Sequence, residues 1–156
     1  MPERQRAILF VCLGNICRSP LAEGVFNARP DAGATGWRAD SAGSGNWHVG
    51  QAPDPRSVAI AARNGIDIGR QRCRQIVPAN FSRFSVILGM DWRNVVAIRR
   101  IAAGTAHIDR FLDFAGGTGD VADPWAGDES AFRACYDEID LAMRGVRERL
   151  AAWPDR

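Results

Sequence analysis

Ile8-Leu9-Phe10-Val11-Cys12-Leu13-Gly14-Asn15-Ile16-Cys17-Arg18-Ser19-Pro20 joins an uninterrupted apolar run to a segment with helix-start chemistry. The run reads as a buried strand over Ala7–Val11, and the pattern after the loop reads as a helix over Leu21–Ala28. A helix N-terminus offers unpaired N–H groups and the positive end of the helix dipole, which together attract anions. Gly14 opens backbone angles closed to other residues, and Asn15 tolerates the left-handed region. Successive N–H groups can then converge on one concavity. Ser19 is placed to cap the helix, with Pro20 at its first position. Cys12 stands at the floor of this cup, where the same field favours thiolate over thiol. A free thiol titrates near about 8.5 and falls to roughly 3.5–7.5 in such settings. Arg18 adds a planar fork able to grip two phosphoryl oxygens. The order Cys-x5-Arg-Ser between strand and helix therefore points to phosphate chemistry with a sulfur nucleophile.

Working outward, strands and helices alternate. Arg38–Ala42 reads as a second strand, Val86–Leu88 as a third and Ala106–Phe111 as a fourth. Asp54-Pro55 opens a helix with an N-cap and a first-turn proline, and Asn64-Gly65 closes it. The last helix is expected from near Glu129 to Ala152, capped by Asp128. Its apolar positions Phe132, Cys135, Ile139, Met143, Val146, Leu150 and Trp153 step by three or four. This alternation predicts an α/β domain, a parallel sheet flanked by helices with its site at the strands' C-terminal edge. No repeat or linker divides residues 1–156, so a single domain is expected.

Composition excludes several classes. The chain has 156 residues, 46% of them hydrophobic, and a net charge of +2. All 20 cationic residues are arginine, but no polybasic run or aromatic-basic alternation suggests nucleic acid. No apolar stretch approaches the roughly 18 residues of a membrane span, and the N-terminus lacks a signal peptide's core. The 4 cysteines lack framework spacing, which suggests a reducing cytoplasm. His48 and His107 have no partners at ligand spacing, so neither a metal site nor a cofactor is expected.

The segment Val11 to Pro20 resembles the signature loop of the low-molecular-weight protein tyrosine phosphatases, C-x-G-N-x-C-R-S-P. Asp40-Ser41-Ala42-Gly43, Trp47, Pro53-Asp54-Pro55-Arg56, Arg74-Gln75-Ile76, Gly89-Met90-Asp91 and Asp123-Pro124-Trp125 agree in order and spacing, so the similarity runs from about Arg6 to about Leu150. The resemblance implies a central four-stranded parallel twisted sheet with helices on both faces. It also implies hydrolysis of phosphotyrosine through a cysteinyl phosphate on Cys12, without metal, with Arg18 binding phosphate. A general acid is needed for the leaving oxygen. Spacing alone leaves Asp120, Asp123 and Asp128 open, and the resemblance selects Asp123 in Asp-Pro-Trp. Ser19 is implied as a hydrogen-bond donor to the thiolate, and Asn15 as pinned by neighbours including Ser41.

The chain departs from the family pattern at two places. Gln71 stands where many relatives have histidine, and is expected to bond Asn15 without ionising. The acid loop reads Asp-Pro-Trp-Ala where many relatives carry Asp-Pro-Tyr-Tyr, so a phosphorylatable tyrosine pair is missing. Leu13, Ile16, Trp47 and Trp125 are expected to line a deep apolar slot, with Gly14, Asn15, Cys17 and Ser19 around the phosphate. Ile16 favours an aryl phosphate over a guanidinium, since related arginine phosphatases tend to carry threonine there. The expected partners are phosphotyrosine proteins, a bacterial tyrosine kinase among them, and inorganic phosphate or other oxyanions. Two alternatives remain: an arsenate reductase of the same fold, and a non-catalytic, redox-sensing phosphoprotein-binding module. The first needs a close second cysteine pair in mid-chain, where only Cys73 stands. Cys17, five residues from Cys12, could trap an oxidised Cys12 as a disulfide.

Overall fold

β1, Ala7–Cys12, is buried at every position and pairs in parallel with a strand on each side, as an uninterrupted apolar run requires. A computed structural model describes residues 6–29, 34 and 36–154. Its sheet has 4 strands, all parallel, in the order β2 (Arg38–Gly43), β1, β3 (Val86–Gly89), β4 (His107–Arg110). The chain passes from β1 to β2 on one side and returns to β3 on the other. Strand order thus reverses beside the C-terminal end of β1, where open α/β sheets form a crevice.

Side chains of β1 alternate between two cores, because successive residues of a strand face opposite ways. Ile8, Phe10 and Cys12 pack with Leu21 and Phe26 of α1 (Arg18–Asn27) and with Ile139 and Met143 of α6 (Glu129–Ala151). Ala7, Leu9 and Val11 meet Phe81 of α3 (Asn80–Arg83) and Ile98 of α4 (Trp92–Arg100) on the other face. Helices α2 (Pro55–Arg63) and α5 (Phe111–Phe114) complete the α6 side. Arg147 of α6 is buried and donates to the carbonyls of Val25 and Phe26 at 2.9 and 3.4 Å. A cation there meets the negative end of α1, which orients the helix whose other end forms the cup.

The expected elements are present, with informative differences at their ends. α2 begins at Pro55 with Asp54 as its cap and is followed by Gly65 at φ 78. The stripe on α6 is buried from Phe132 to Leu150, and Asp128 caps it through the Ala131 N–H. α1 starts earlier than the sequence predicts. Cys17 takes the N-cap position with no side-chain bond, Arg18 is the first helical residue, and Ser19 does not cap. Pro20 falls at the third position, where its missing N–H still belongs to the unpaired first turn. The reason lies in the strand before it, since Ser19 is turned inward toward Cys12 instead of along the helix. α4, unanticipated in the sequence, is the crossover that two parallel strands β3 and β4 require. Its start is a capping box, Asp91 and Asn94 bonding each other's backbone N–H.

Candidate active site

Cys12 closes β1 and α1 begins at Arg18, so residues 13–17 must turn through a tight loop at the sheet's switch point. The turn depends on Asn15, which adopts φ 57 and is 2% exposed. Gly14 does not supply the left-handed angle. Its role is close approach, because a Cβ there would lie 3.0 Å from the His48 ring. Gly43, at the end of β2, has a similar function: its Cβ would meet Leu13 O at 3.0 Å and Asn15 N at 3.1 Å. Among the described residues, the N–H groups of residues 14–18 donate to no protein acceptor. They are free to face an anion.

Asn15 is held on three sides. Its amide donates to Ser19 Oγ at 2.9 Å and Ser41 Oγ at 3.0 Å, and its Oδ1 accepts the Arg74 N–H at 3.0 Å. Ser41 in turn donates to Glu23 Oε1 at 2.9 Å. Ser19 Oγ lies 3.0 Å from Cys12 Sγ. A polar chain therefore runs from Glu23 through Ser41, Asn15 and Ser19 to the Cys12 sulfur. Burial, opposed by the Ser41 bond and reinforced by Asp40, pushes the Glu23 carboxyl up to about 7. Gln71 is not part of this chain. Its Nε2 donates to the Pro20 carbonyl at 3.1 Å, and its Oε1 is buried without a partner. The Asn15 amide hydrogens already go to Ser19 and Ser41, and its Oδ1 takes the Arg74 N–H in place of a donor from residue 71.

Arg18 is 2% exposed, and its guanidinium is oriented from behind. Nη1 donates to Asp91 Oδ2 at 2.7 Å and to the Val121 carbonyl at 2.8 Å. Among the described residues Nε and Nη2 have no hydrogen-bond acceptor, while Nη2 lies 3.8 Å from Asp123 Oδ2. Burial opposes its charge, yet Cys12, Asp91 and Asp123 together raise its hold on the proton. Asp91 had no role assigned from sequence. The signal was present as the capping box Asp91-x-x-Asn94, which fixes the side chain that also takes Arg18.

Of the three candidate acids, only Asp123 lines the cup. Asp120 bonds the Trp92 N–H and Arg110, and Asp128 caps α6. The Asp123 loop is anchored: Arg56 donates to the carbonyls of Trp125 and Gly127, both at 3.1 Å, and lies 4.3 Å above the Phe132 ring. This role for Arg56 was likewise not assigned from sequence.

The cavity above Cys12 holds about 220 Å³ and is lined by Leu13, Gly14, Ile16, Cys17, Arg18, Trp47, Asp123 and Trp125, with His48 as an unanticipated wall. Leu13, Trp47 and Trp125 are 48%, 65% and 59% exposed, so they form an open apolar rim. Trp47 folds its ring across Gly45, leaving no room for a Cβ there. Cys17 is buried, and burial with the Asp54 and Cys12 charges holds it as a thiol. Among the described residues no group of His, Cys, Asp and Glu is arranged to hold a metal, and no helix is long and apolar enough to cross a membrane.

The family model of the low molecular weight phosphotyrosine protein phosphatases matches residues 7–153. A Bacillus subtilis low molecular weight protein-tyrosine-phosphatase, YfkJ, is 40% identical over 153 residues, covering 94% of each chain. A Streptomyces coelicolor protein of the same description is 38% identical over 148 residues, covering 89% of this chain and 90% of the relative. The structure of Vibrio vulnificus Wzb in complex with benzylphosphonate superposes with a TM-score of 0.81 at 28% identity, covering 91% of this chain and 97% of that one. The match runs along nearly the whole chain and takes in the loop that carries Cys12 and Arg18, and this protein belongs to the low molecular weight phosphotyrosine protein phosphatases.

Proposed function

We propose that this protein hydrolyses phosphotyrosine in proteins through a cysteinyl-phosphate intermediate on Cys12. The observation that supports the reading is one cavity lined by Cys12, Arg18 and Asp123, at a loop whose N–H groups 14–18 have no protein acceptor among the described residues. The Cys12 thiolate attacks phosphorus in line, and the S–P bond forms as the bond to the tyrosine oxygen breaks. Arg18 Nε and Nη2, with the loop N–H groups, hold the equatorial oxygens, a preorganised electrostatic clamp. Asp123, protonated, gives its proton to the leaving phenolate. As carboxylate it then takes a proton from water, which attacks phosphorus and returns Cys12 as thiolate with release of phosphate. Ser19 Oγ accepts from Asn15, and its one hydrogen faces Cys12 Sγ at 3.0 Å and the more distant Ala42 carbonyl at 3.4 Å, so it can turn to the thiolate as charge builds on sulfur.

Substrate class follows from the walls. Leu13, Trp47 and Trp125 form an open apolar rim against which an aromatic ring can lie, with Ile16 below them, and Ile16 offers no polar atom to a phosphoguanidinium. A phosphoserine is too short to place its phosphate in the cup while its peptide stays on the rim. A bacterial tyrosine kinase is one protein that would present such an ester. Four free cysteines, all buried, support a reducing compartment such as the cytoplasm.

The test is turnover of phosphotyrosine, phosphoarginine and phosphoserine peptides in chelator, with the parent, Cys12→Ser and Asp123→Asn. Phosphotyrosine should dominate, Cys12→Ser should be inactive, and Asp123→Asn should lose about a hundred- to ten-thousand-fold in kcat. Comparable rates on all three peptides would overturn the substrate class. Turnover by Cys12→Ser would overturn the mechanism.

A further inference from the structure

Among the described residues Asn15 is the one non-glycine with a positive φ, and its side-chain bonds do not by themselves fix the peptide plane that follows it. The Asn15 carbonyl is fixed by another residue. Cys73 Sγ donates to it at 2.8 Å, from a site 4% exposed. We propose that Cys73 is a positioning residue for the phosphate loop, whose thiol holds the Asn15 carbonyl and so aims the Ile16 N–H into the cup. In a trans peptide the C=O and N–H point in opposite directions, and no described peptide bond is cis. Anchoring the oxygen behind the loop therefore turns the next N–H toward the anion. Rotated the other way, the same peptide would present a carbonyl oxygen to phosphate, replacing an attraction with a repulsion.

The thiol is well placed for this task. Burial, and next the charge of Cys12, push it up to about 11, so it stays protonated and remains a donor at neutral pH. Its backbone is tied on both sides. The Cys73 N–H donates to the Gln51 carbonyl and its own carbonyl accepts the Gly50 N–H, each at 2.8 Å. The next residue, Arg74, accepts from the Gly43 N–H at 2.7 Å and donates to Asn15 Oδ1 at 3.0 Å. Residues 73 and 74 thus hold the loop by two bonds to Asn15 while fastened to β2 and to the turn after Trp47. A hydroxyl in place of the thiol keeps the donor within reach of the same carbonyl, whereas a methyl or isopropyl group removes it.

This inference rests on the phosphatase reading of the loop. The experiment compares the parent with Cys73→Ala, Cys73→Val and Cys73→Ser. It measures competitive inhibition by inorganic phosphate, kcat and KM on p-nitrophenyl phosphate, and Tm. Loss of one hydrogen bond predicts that Cys73→Ala and Cys73→Val each weaken phosphate binding about five-fold, with kcat/KM falling at least as far. Cys73→Ser should return both quantities to within about two-fold of the parent, a rescue that a packing role does not predict. Parental phosphate affinity in Cys73→Ala or Cys73→Val, or no recovery in Cys73→Ser, would overturn the role. A parent that neither binds phosphate nor turns over would overturn the phosphatase reading, and this role with it.

Discussion

Glu23 shows how a single half-buried carboxyl can tie the active site to pH. Its folded-state value of about 7 lies above the ordinary 4.5, chiefly because burial penalises its charge. The folded protein therefore holds this proton more tightly than the unfolded chain does. Its contribution to stability is intact below pH 4.5 and is lost as pH rises through about 7. Glu23→Gln keeps the acceptor for Ser41 but cannot ionise. Thermal melts across pH should show the variant matching the parent near pH 4.5 and exceeding it increasingly up to pH 7–8. A constant difference between the two curves would refute the assignment. Asp40 and Arg74, which are paired at 3.0 Å, are the other charged groups that set this proton's affinity.

At the scale of elements, Asp91 serves two neighbours with one carboxylate. Oδ1 accepts the Asn94 N–H at 2.8 Å and caps α4, while Oδ2 takes Arg18 at 2.7 Å. The N-terminus of a crossover helix and the buried Arg18 guanidinium are therefore held by the same side chain. Asparagine caps nearly as well as aspartate, so Asp91→Asn separates the two functions. The cap should survive, but the buried Arg18 loses its carboxylate, so stability should fall and inorganic phosphate should inhibit about ten-fold more weakly, as expected when a hydrogen bond to a charged group is lost. Asp91→Ala should show the same inhibition defect plus about 1 kcal/mol lost from the cap, read by urea unfolding. Unchanged phosphate inhibition in Asp91→Asn would show that the Val121 carbonyl alone orients Arg18.

Over the whole molecule, α6 determines how firmly the layers close. It packs against α1, α2 and α5, and its closest approach is at Gly145, where a Cβ would stand 2.0 Å from the Ala115 carbonyl oxygen. Alanine normally stabilises a helix interior by about 1 kcal/mol relative to glycine. Here the clash is with backbone at the end of α5, which has no rotamer to change. Gly145→Ala should destabilise the fold by about 1–3 kcal/mol in denaturant titration. A gain in stability would mean that α6 can shift without cost. α6 also supplies Arg147 to the end of α1, so loosening it should reach the cup through the same helix.

The four strands, the long final helix and the sulfur-bearing loop were legible in the chain because each rests on local information. Apolar runs, a three- and four-residue stripe, and the cap chemistry of Asp54 and Asp128 act within one or two turns of backbone. The start of α1 departs from the local signal because Ser19 obeys a tertiary demand, a bond to Cys12, over its local preference to cap. Asp91 and Arg56 stand in motifs legible in the chain, but their roles are not, because their partners, Arg18 and the Trp125 carbonyl, lie 73 and 69 residues away. Gln71 was placed on Asn15, but the Arg74 backbone holds that position. Sequence alone thus determined the anion-binding loop, since Cys12, Arg18 and the turn residues lie within seven positions of one another, whereas spacing left Asp120, Asp123 and Asp128 open as its acid partner. Only the tertiary structure decided how they are held, because the carbonyls, carboxylates and thiol that aim them come from strands and loops brought together by folding.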